Sequence, residues 1–244
     1  MFSCSRLALC CALLLLLLLP LSSHAAELVV LVDTATEMPM ARYEHYRLVD
    51  GIHKDVGEAL AHAMGREPRF VAVPRKRIGE ALRTGRADVL CGYVPEWLGG
   101  SLAWSQPFFP MVEVVITDRA ASRPRTVADL AGQPVGTVLG YAYPDLERAL
   151  GREFRRADSP STELNLRKLA AGRLKHVVTM KNFIDYRVKL DDPVLVLHPP
   201  LVVQTYATRC AVSPRSQVSA AAVDRAVARI VRDGVVGRIA ARYQ

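Results

Sequence analysis

Short apolar runs alternate along this chain with stretches whose apolar residues recur every three or four positions. The run "ELVVLVD" (27–33) fits a buried strand. In "KDVGEALAHAMG" (54–65), Val56, Leu60 and Met64 fall on one helical face and Gly65 supplies a stop. "RFVAV" (69–73) is strand-like, and Pro74 opens "RKRIGEALRTG", where Ile78 and Leu82 share a face. "ADVLCGY" (87–93) makes a third strand. This order predicts a parallel sheet with covering helices. An aromatic loop follows, then the strand "MVEVVITD" (111–118) and the polar connection "RAASRPR".

A second alternating set comes next: "TVADLAG", "PVGTVLG", "YPDLERALG", "TELNLRKLAAG", "HVVTM", "NFIDYRVKL" and "VLVLHP". The strand "YATRCAVSP" and a helix over about 217–233 close the chain, with Val223, Val227, Ile230 and Val231 on one face. Two α/β lobes are expected, the residues after about 205 returning to complete the first. Ligands of such sheets bind beyond the carboxyl ends of the strands. The loops after Asp33, Gly92, Leu139 and Met180 should therefore ring one cleft.

The N-terminus fixes the compartment. "MFSCSRLALCCALLLLLLLPLSSHAAE" has one early charge, Arg6, then an apolar run from Leu7 to Leu19. That is a secretory signal with cleavage near Ala25, and the run falls short of the ~20 residues a membrane span needs. Cys10 and Cys11 precede the leucine core, where a lipid-attachment cysteine does not sit. The expected mature chain is exported, and its charge falls from +8 to +7 with the loss of Arg6. The basic residues are scattered, densest at Arg75-Lys76-Arg77, whereas a nucleic-acid binder gathers them on one face. No nucleic-acid partner is expected. Two cysteines remain after cleavage, Cys91 and Cys210: export permits a disulfide between them, and two buried thiols are the alternative.

These stretches resemble the type 2 periplasmic solute-binding proteins, extracellular family 3, which serve polar amino acid ABC transporters. The resemblance is carried by "GIHKDVGEALAHAMGREPRFVAVPRKRIGEALRTGRADVL", "WSQPFFPMVEVVIT", "TVADLAGQPVGTVLG", "LAAGRL" and "AVARIVRDGVVGRIAARY", in order over nearly the whole mature chain. It implies an α/β, two-lobed type 2 periplasmic binding protein fold, each lobe a mostly parallel sheet with covering helices. The divisions expected are a signal peptide at 1–25, a first lobe of 26–116 plus 206–244, and a second of 117–205. Two strands, near 113–118 and 202–208, would join them. A monomer is expected that closes over a small molecule and presents it to an ABC permease, with no cofactor or metal.

The resemblance also shows what this chain lacks. Amino-acid-binding members carry an Arg in the loop after the third strand, which pairs with the ligand carboxylate. Here that loop reads "YVPEWLGGS", and no Lys or Arg occurs from 87 to 118, where about four would fall by chance. The second-lobe stretch that usually reads "GRVDAVV" is "GRLKHVVTMK". A standard α-amino acid is therefore a poor ligand. The expected site is aromatic and uncharged on the first lobe, with Met38, Tyr43, Tyr93 and Trp97. On the second it offers Tyr141, Tyr143, Lys181 and Asn182 at helix starts, which favour anions. Of Tyr141 and Tyr143, one should be a surface residue if the helix has begun there. Arg77 is the best first-lobe cation for an anionic guest. A flat or partly apolar solute with a polar or negative end fits.

Other readings stay open. Met38, Met40 and His53 are of types that bind copper, in no closed spacing. A periplasmic dehydratase of cyclic diacids shares the fold, and Glu96 or Glu37 would supply its acid. A stand-alone partner of a membrane sensor is the third reading.

Overall fold

The computed structural model describes residues 25–190 and 196–243. The predicted signal segment lies outside the described residues except for Ala25. In chain order the strands are β1 (Glu27–Asp33), β2 (Arg42–Glu44), β3 (Arg47–Asp50), β4 (Glu67–Val73), β5 (Val89–Tyr93), β6 (Ala103–Trp104), β7 (Phe109–Thr117), β8 (Pro134–Val138), β9 (Arg155–Ser159), β10 (His176–Met180) and β11 (Leu201–Val212). The helices are α1 (Ile52–Ala63), α2 (Ile78–Arg83), α3 (Pro144–Leu150), α4 (Thr162–Ala170), α5 (Lys181–Lys189), α6 (Ala220–Arg232) and α7 (Val235–Tyr243).

All the strands except the β2–β3 hairpin join one curled sheet of order β4-β1-β5-β11-β7-β10-β8-β9, with β6 also on β11. β1 runs parallel to β4 and β5, and β8 parallel to β9 and β10. β11 and β7 are antiparallel to each other and to their outer neighbours β5 and β10. The parallel strands are linked through helices, as such crossovers require. Apolar side chains cluster separately at the two ends of the sheet. Leu28, Val30, Val56, Leu60, Val89, Val223 and Val227 pack together at the first end. Val114, Ile116, Leu166, Leu169 and Val177 do so at the second.

Within the window from 87 to 118 that holds no Lys or Arg, the two strands have a plain cause for it. All five residues of β5 are buried, and so are seven of the nine in β7. A Lys or Arg there would carry its charge into the core. The helix near the C-terminus turns differently from expectation. Val223, Val227 and Ile230 are buried, but Val231 is 45% exposed, because each step rotates a helix by about 100°. A disulfide joins Cys91 on β5 to Cys210 on β11, tying the returning strand to the strand it pairs with.

The helix starts that border the cleft have local causes. Gly51 precedes α1 at φ 114°, and a Cβ there would stand 2.6 Å from the Met40 carbonyl oxygen. Only glycine fits. Ser161 caps α4, its hydroxyl accepting the Leu164 N–H.

Candidate ligand-binding cleft

The carboxyl ends of β1, β5, β8 and β10 meet around one cleft enclosing about 780 Å³ of atom-free space, its open mouth included. Thr36 and Glu37 follow β1, Tyr93 and Trp97 end and follow β5, Tyr141 and Tyr143 follow β8, and Asn182 opens α5. The four loops expected to converge therefore do so.

The expected site residues take different places. Tyr93, Trp97, Tyr141, Tyr143 and Asn182 line the cleft. Tyr93 and Trp97 meet edge-on with ring centroids 5.9 Å apart, and Trp97 meets Tyr206 the same way at 4.8 Å. Both Tyr141 and Tyr143 face inward, because α3 begins only at Pro144. Neither is a surface residue. Tyr143 already has its hydroxyl engaged, accepting the Val138 N–H at 2.8 Å.

Met38, Tyr43 and Lys181 do not line the cleft. Met38 packs against the first core cluster, and its neighbour Met40 takes the cleft position instead. Tyr43 donates its hydroxyl to the Asp33 carbonyl at 2.9 Å. Lys181 turns to solvent, where its Nζ donates to both Asp185 carboxylate oxygens at 2.7 Å, one turn along α5.

The first-end wall is not uncharged. Arg75 borders the cleft, with its guanidinium carbon 4.8 Å from the Tyr93 ring centroid and 4.7 Å from that of Tyr141. Nη1 lies 3.8 Å from Asp33 Oδ2, and Nη2 donates to the Trp97 carbonyl at 3.3 Å. The cause is register. Val73 at the end of β4 sits beside Asp33 at the end of β1, so the chain, extended through Pro74, delivers Arg75 over the strand ends. Arg77 lies further along the short turn and is exposed. Arg75, the second residue past the end of β4, is thus the member of "RKR" that reaches the cleft, and its place just beyond a strand end is the sequence signal for it.

Several titratable groups here are displaced from their usual ranges. Burial raises the Asp33 carboxyl, against the Ala35 N–H and the Arg75 charge that favour its ionised form. Burial lowers the Arg75 guanidinium, but Tyr93, Asp33 and Tyr141 outweigh it and the net shift is upward. Burial pushes Glu113 on β7 up to about 8, assisted by the negative charges of Asp145 and Glu147. His53 at the start of α1 is pushed down to about 4 by burial. Glu37 is also raised by burial, while its Oε2 accepts the Glu163 N–H at 3.0 Å.

Three buried polar atoms at the cleft have no hydrogen-bond partner: Trp97 Nε1, Glu113 Oε2 and Asn182 Oδ1. Native proteins satisfy nearly all such atoms. Their grouping around one cleft marks a surface built to meet something polar. Among the described residues, no group of three His, Cys, Asp or Glu is placed to hold a metal. Glu96 is exposed and does not border the cleft.

The model of the bacterial extracellular solute-binding proteins, family 3, matches residues 28–244. The chain belongs to that family. Membership implies a periplasmic location for this family 3 protein. No curated protein matches it. Solved structures share its fold at low identity. One is the ancestral amino acid-binding protein that is a precursor of cyclohexadienyl dehydratase, at 18% identity and TM-score 0.73, covering 89% of this chain and 95% of that one. A Salmonella typhimurium periplasmic binding protein of high arginine specificity is 18% identical, with TM-score 0.71 and coverage of 90% and 99%. A histidine kinase sensor domain similar to periplasmic binding proteins is 19% identical, with TM-score 0.72 and coverage of 90% and 96%.

Proposed function

We propose that this family 3 protein is an exported monomer whose two lobes close over a small solute and present it to an ABC-type permease. Its signal peptide is cleaved near Ala25. The lobes are 26–116 with 206–244, and 117–205, each a mostly parallel sheet under covering helices. The observation that carries the reading is the set of unpartnered atoms, Trp97 Nε1, Glu113 Oε2 and Asn182 Oδ1, around one cleft. A guest that satisfies them contacts both lobes only when they are closed, so its differential affinity shifts the balance toward closure.

The guest is not a standard α-amino acid. An ammonium group needs a free carboxylate, and the acids near this cleft are occupied or neutral. Asp33 faces Arg75, Glu37 is bonded to the Glu163 N–H, and Glu113 with its pKa of about 8 is protonated at neutral pH. Arg75, Trp97 and the Tyr141 ring suit a flat or partly apolar solute with a carboxylate or carbonyl end. A thermal-shift panel of aromatic acids, organic anions and modified amino acids should yield a stabilising solute. Glutamine, arginine and histidine should give no shift; a clear shift with any of them overturns the ligand class.

Glu113 favours one second reading, a dehydratase-like enzyme. A buried carboxyl held neutral at the cleft is what a general acid needs. Incubating the stabilising solute with the protein separates the two, because a binder returns it unchanged.

A further inference from the structure

The guanidinium of Arg75 occupies a place built to hold a cation. Asp33 is fully buried and Tyr93 is 4% exposed, so the acid and one ring are fixed parts of the interior. The two rings bracket Arg75 at 4.8 and 4.7 Å, a separation suited to a planar cation over aromatic faces. Tyr93 comes from β5 and Tyr141 from the loop after β8, in opposite halves of the sheet. Arg75 therefore touches both walls of the cleft, as a trapped solute would. Its stem is seated as well. Gly140 stands at φ 84°, and a Cβ there would lie 3.6 Å from Arg75 Cγ and 3.3 Å from Lys76 Cγ.

We propose that Arg75 is a tethered occupant of a guanidinium seat formed by Asp33, Tyr93 and Tyr141, and that its occupancy bars cationic solutes from the cleft. The inference rests on the solute-binding reading above and narrows the class of solute. A group attached next to its own site acts at an effective concentration of roughly millimolar or more, so a free guanidinium compound at lower concentration does not displace it. Of the five guanidinium N–H groups, one on Nη2 donates to the Trp97 carbonyl, while Nη1 is paired with Asp33 by charge at 3.8 Å. The rest of the fork borders the cleft and meets a carboxylate or carbonyl oxygen better than a second cation. One residue thus removes one solute class and recruits the opposite one.

The test is to empty the seat. Arg75→Ala should bind agmatine at least about tenfold more tightly than the wild type does, by calorimetry. Arg75→Met keeps the apolar stem against Gly140 and clears only the head, so it should gain methylguanidinium while ignoring the neutral isostere methylurea. It also serves if Arg75→Ala does not fold. Adding Asp33→Asn to either variant should abolish the gain. Folded variants that bind guanidinium compounds no better than the wild type, or no better than methylurea, overturn the proposal. A gain that survives Asp33→Asn overturns the assignment of the seat. A wild type that no solute stabilises would defeat the solute-binding reading alone, since guanidinium capture by the variants is read directly.

Discussion

Glu37 and Glu163 meet across the cleft, the carboxylate of the first accepting the backbone N–H of the second at 3.0 Å. Glu163 stands in the first turn of α4, where unpaired N–H groups and the helix dipole favour an anion. A side chain from the loop after β1 thus holds a helix at the far end of the sheet. Asn182 Nδ2 reaches Met40 Sδ at 3.1 Å in the same sense.

Removing that acceptor should loosen closure. Glu37→Ala is expected to cost the closed form about 1.5 kcal/mol, tenfold in the open–closed balance. Small-angle scattering should show a larger radius of gyration at nearly unchanged melting temperature. Glu37→Gln keeps an acceptor oxygen and should stay near wild type. An unchanged radius for Glu37→Ala would place closure on other contacts.

Glu113 should make stability fall as pH rises. Its folded value of about 8 lies above the ordinary 4.5. Its contribution is full below pH 4.5 and is lost through pH 8, with a slope of ~1.4 kcal/mol per pH unit. His53 has the opposite sign: lowered from 6.5 to about 4, it contributes above pH 6.5 and loses this as pH falls through 4. Denaturant melts of Glu113→Gln should therefore lack the decline between pH 6.5 and 8. A decline that persists in the variant assigns it elsewhere.

The Cys91–Cys210 bridge closes a span of 119 residues. Reduction, or the paired Cys→Ala variant, should cost about 5 kcal/mol on the loop-entropy scale. Urea unfolding with and without reductant measures it. A loss well below ~2 kcal/mol would mean the β5–β11 pairing holds the unbridged chain already.

Two substitutions separate cleft from surface. Lys181→Met breaks only the exposed pair with Asp185, so it should change stability by less than about 0.5 kcal/mol and leave solute affinity alone. Trp97→Phe deletes the unpartnered Nε1 while keeping a ring beside Tyr93 and Tyr206. It should weaken the stabilising solute about fivefold, one neutral hydrogen bond, with little change in melting. Equal affinity in both variants would return Trp97 to a packing role.

The fold was largely legible because its signals are local. The run 27–33 and the apolar spacing of Val56 and Leu60 mark β1 and α1 wherever the rest of the chain goes. The cleft's loops followed from strand ends, and so did Tyr93, Trp97 and Asn182. Charge placement was not legible. Whether Arg75 or Arg77 turns inward depends on the pairing of Val73 with Asp33, which joins segments 40 residues apart. Glu113 sits in an apolar strand, where the sequence marks burial and gives no hint of facing a cavity. Lys181 was misplaced because Asp185, one turn on, takes its charge.

The continuity of β7 with β11 has a mechanical meaning. Their pairing runs from Phe109 opposite Thr208 to Val115 opposite Leu201, with one irregularity at 202–204. The proposed closure would therefore wind or unwind a two-stranded ribbon, and ribbons of this width tolerate a wide range of twist. No rung of the ladder has to break. In the closure proposed above this ribbon is the hinge, and the contacts that opening breaks lie at the rims, Glu37 on the Glu163 N–H and Asn182 on Met40.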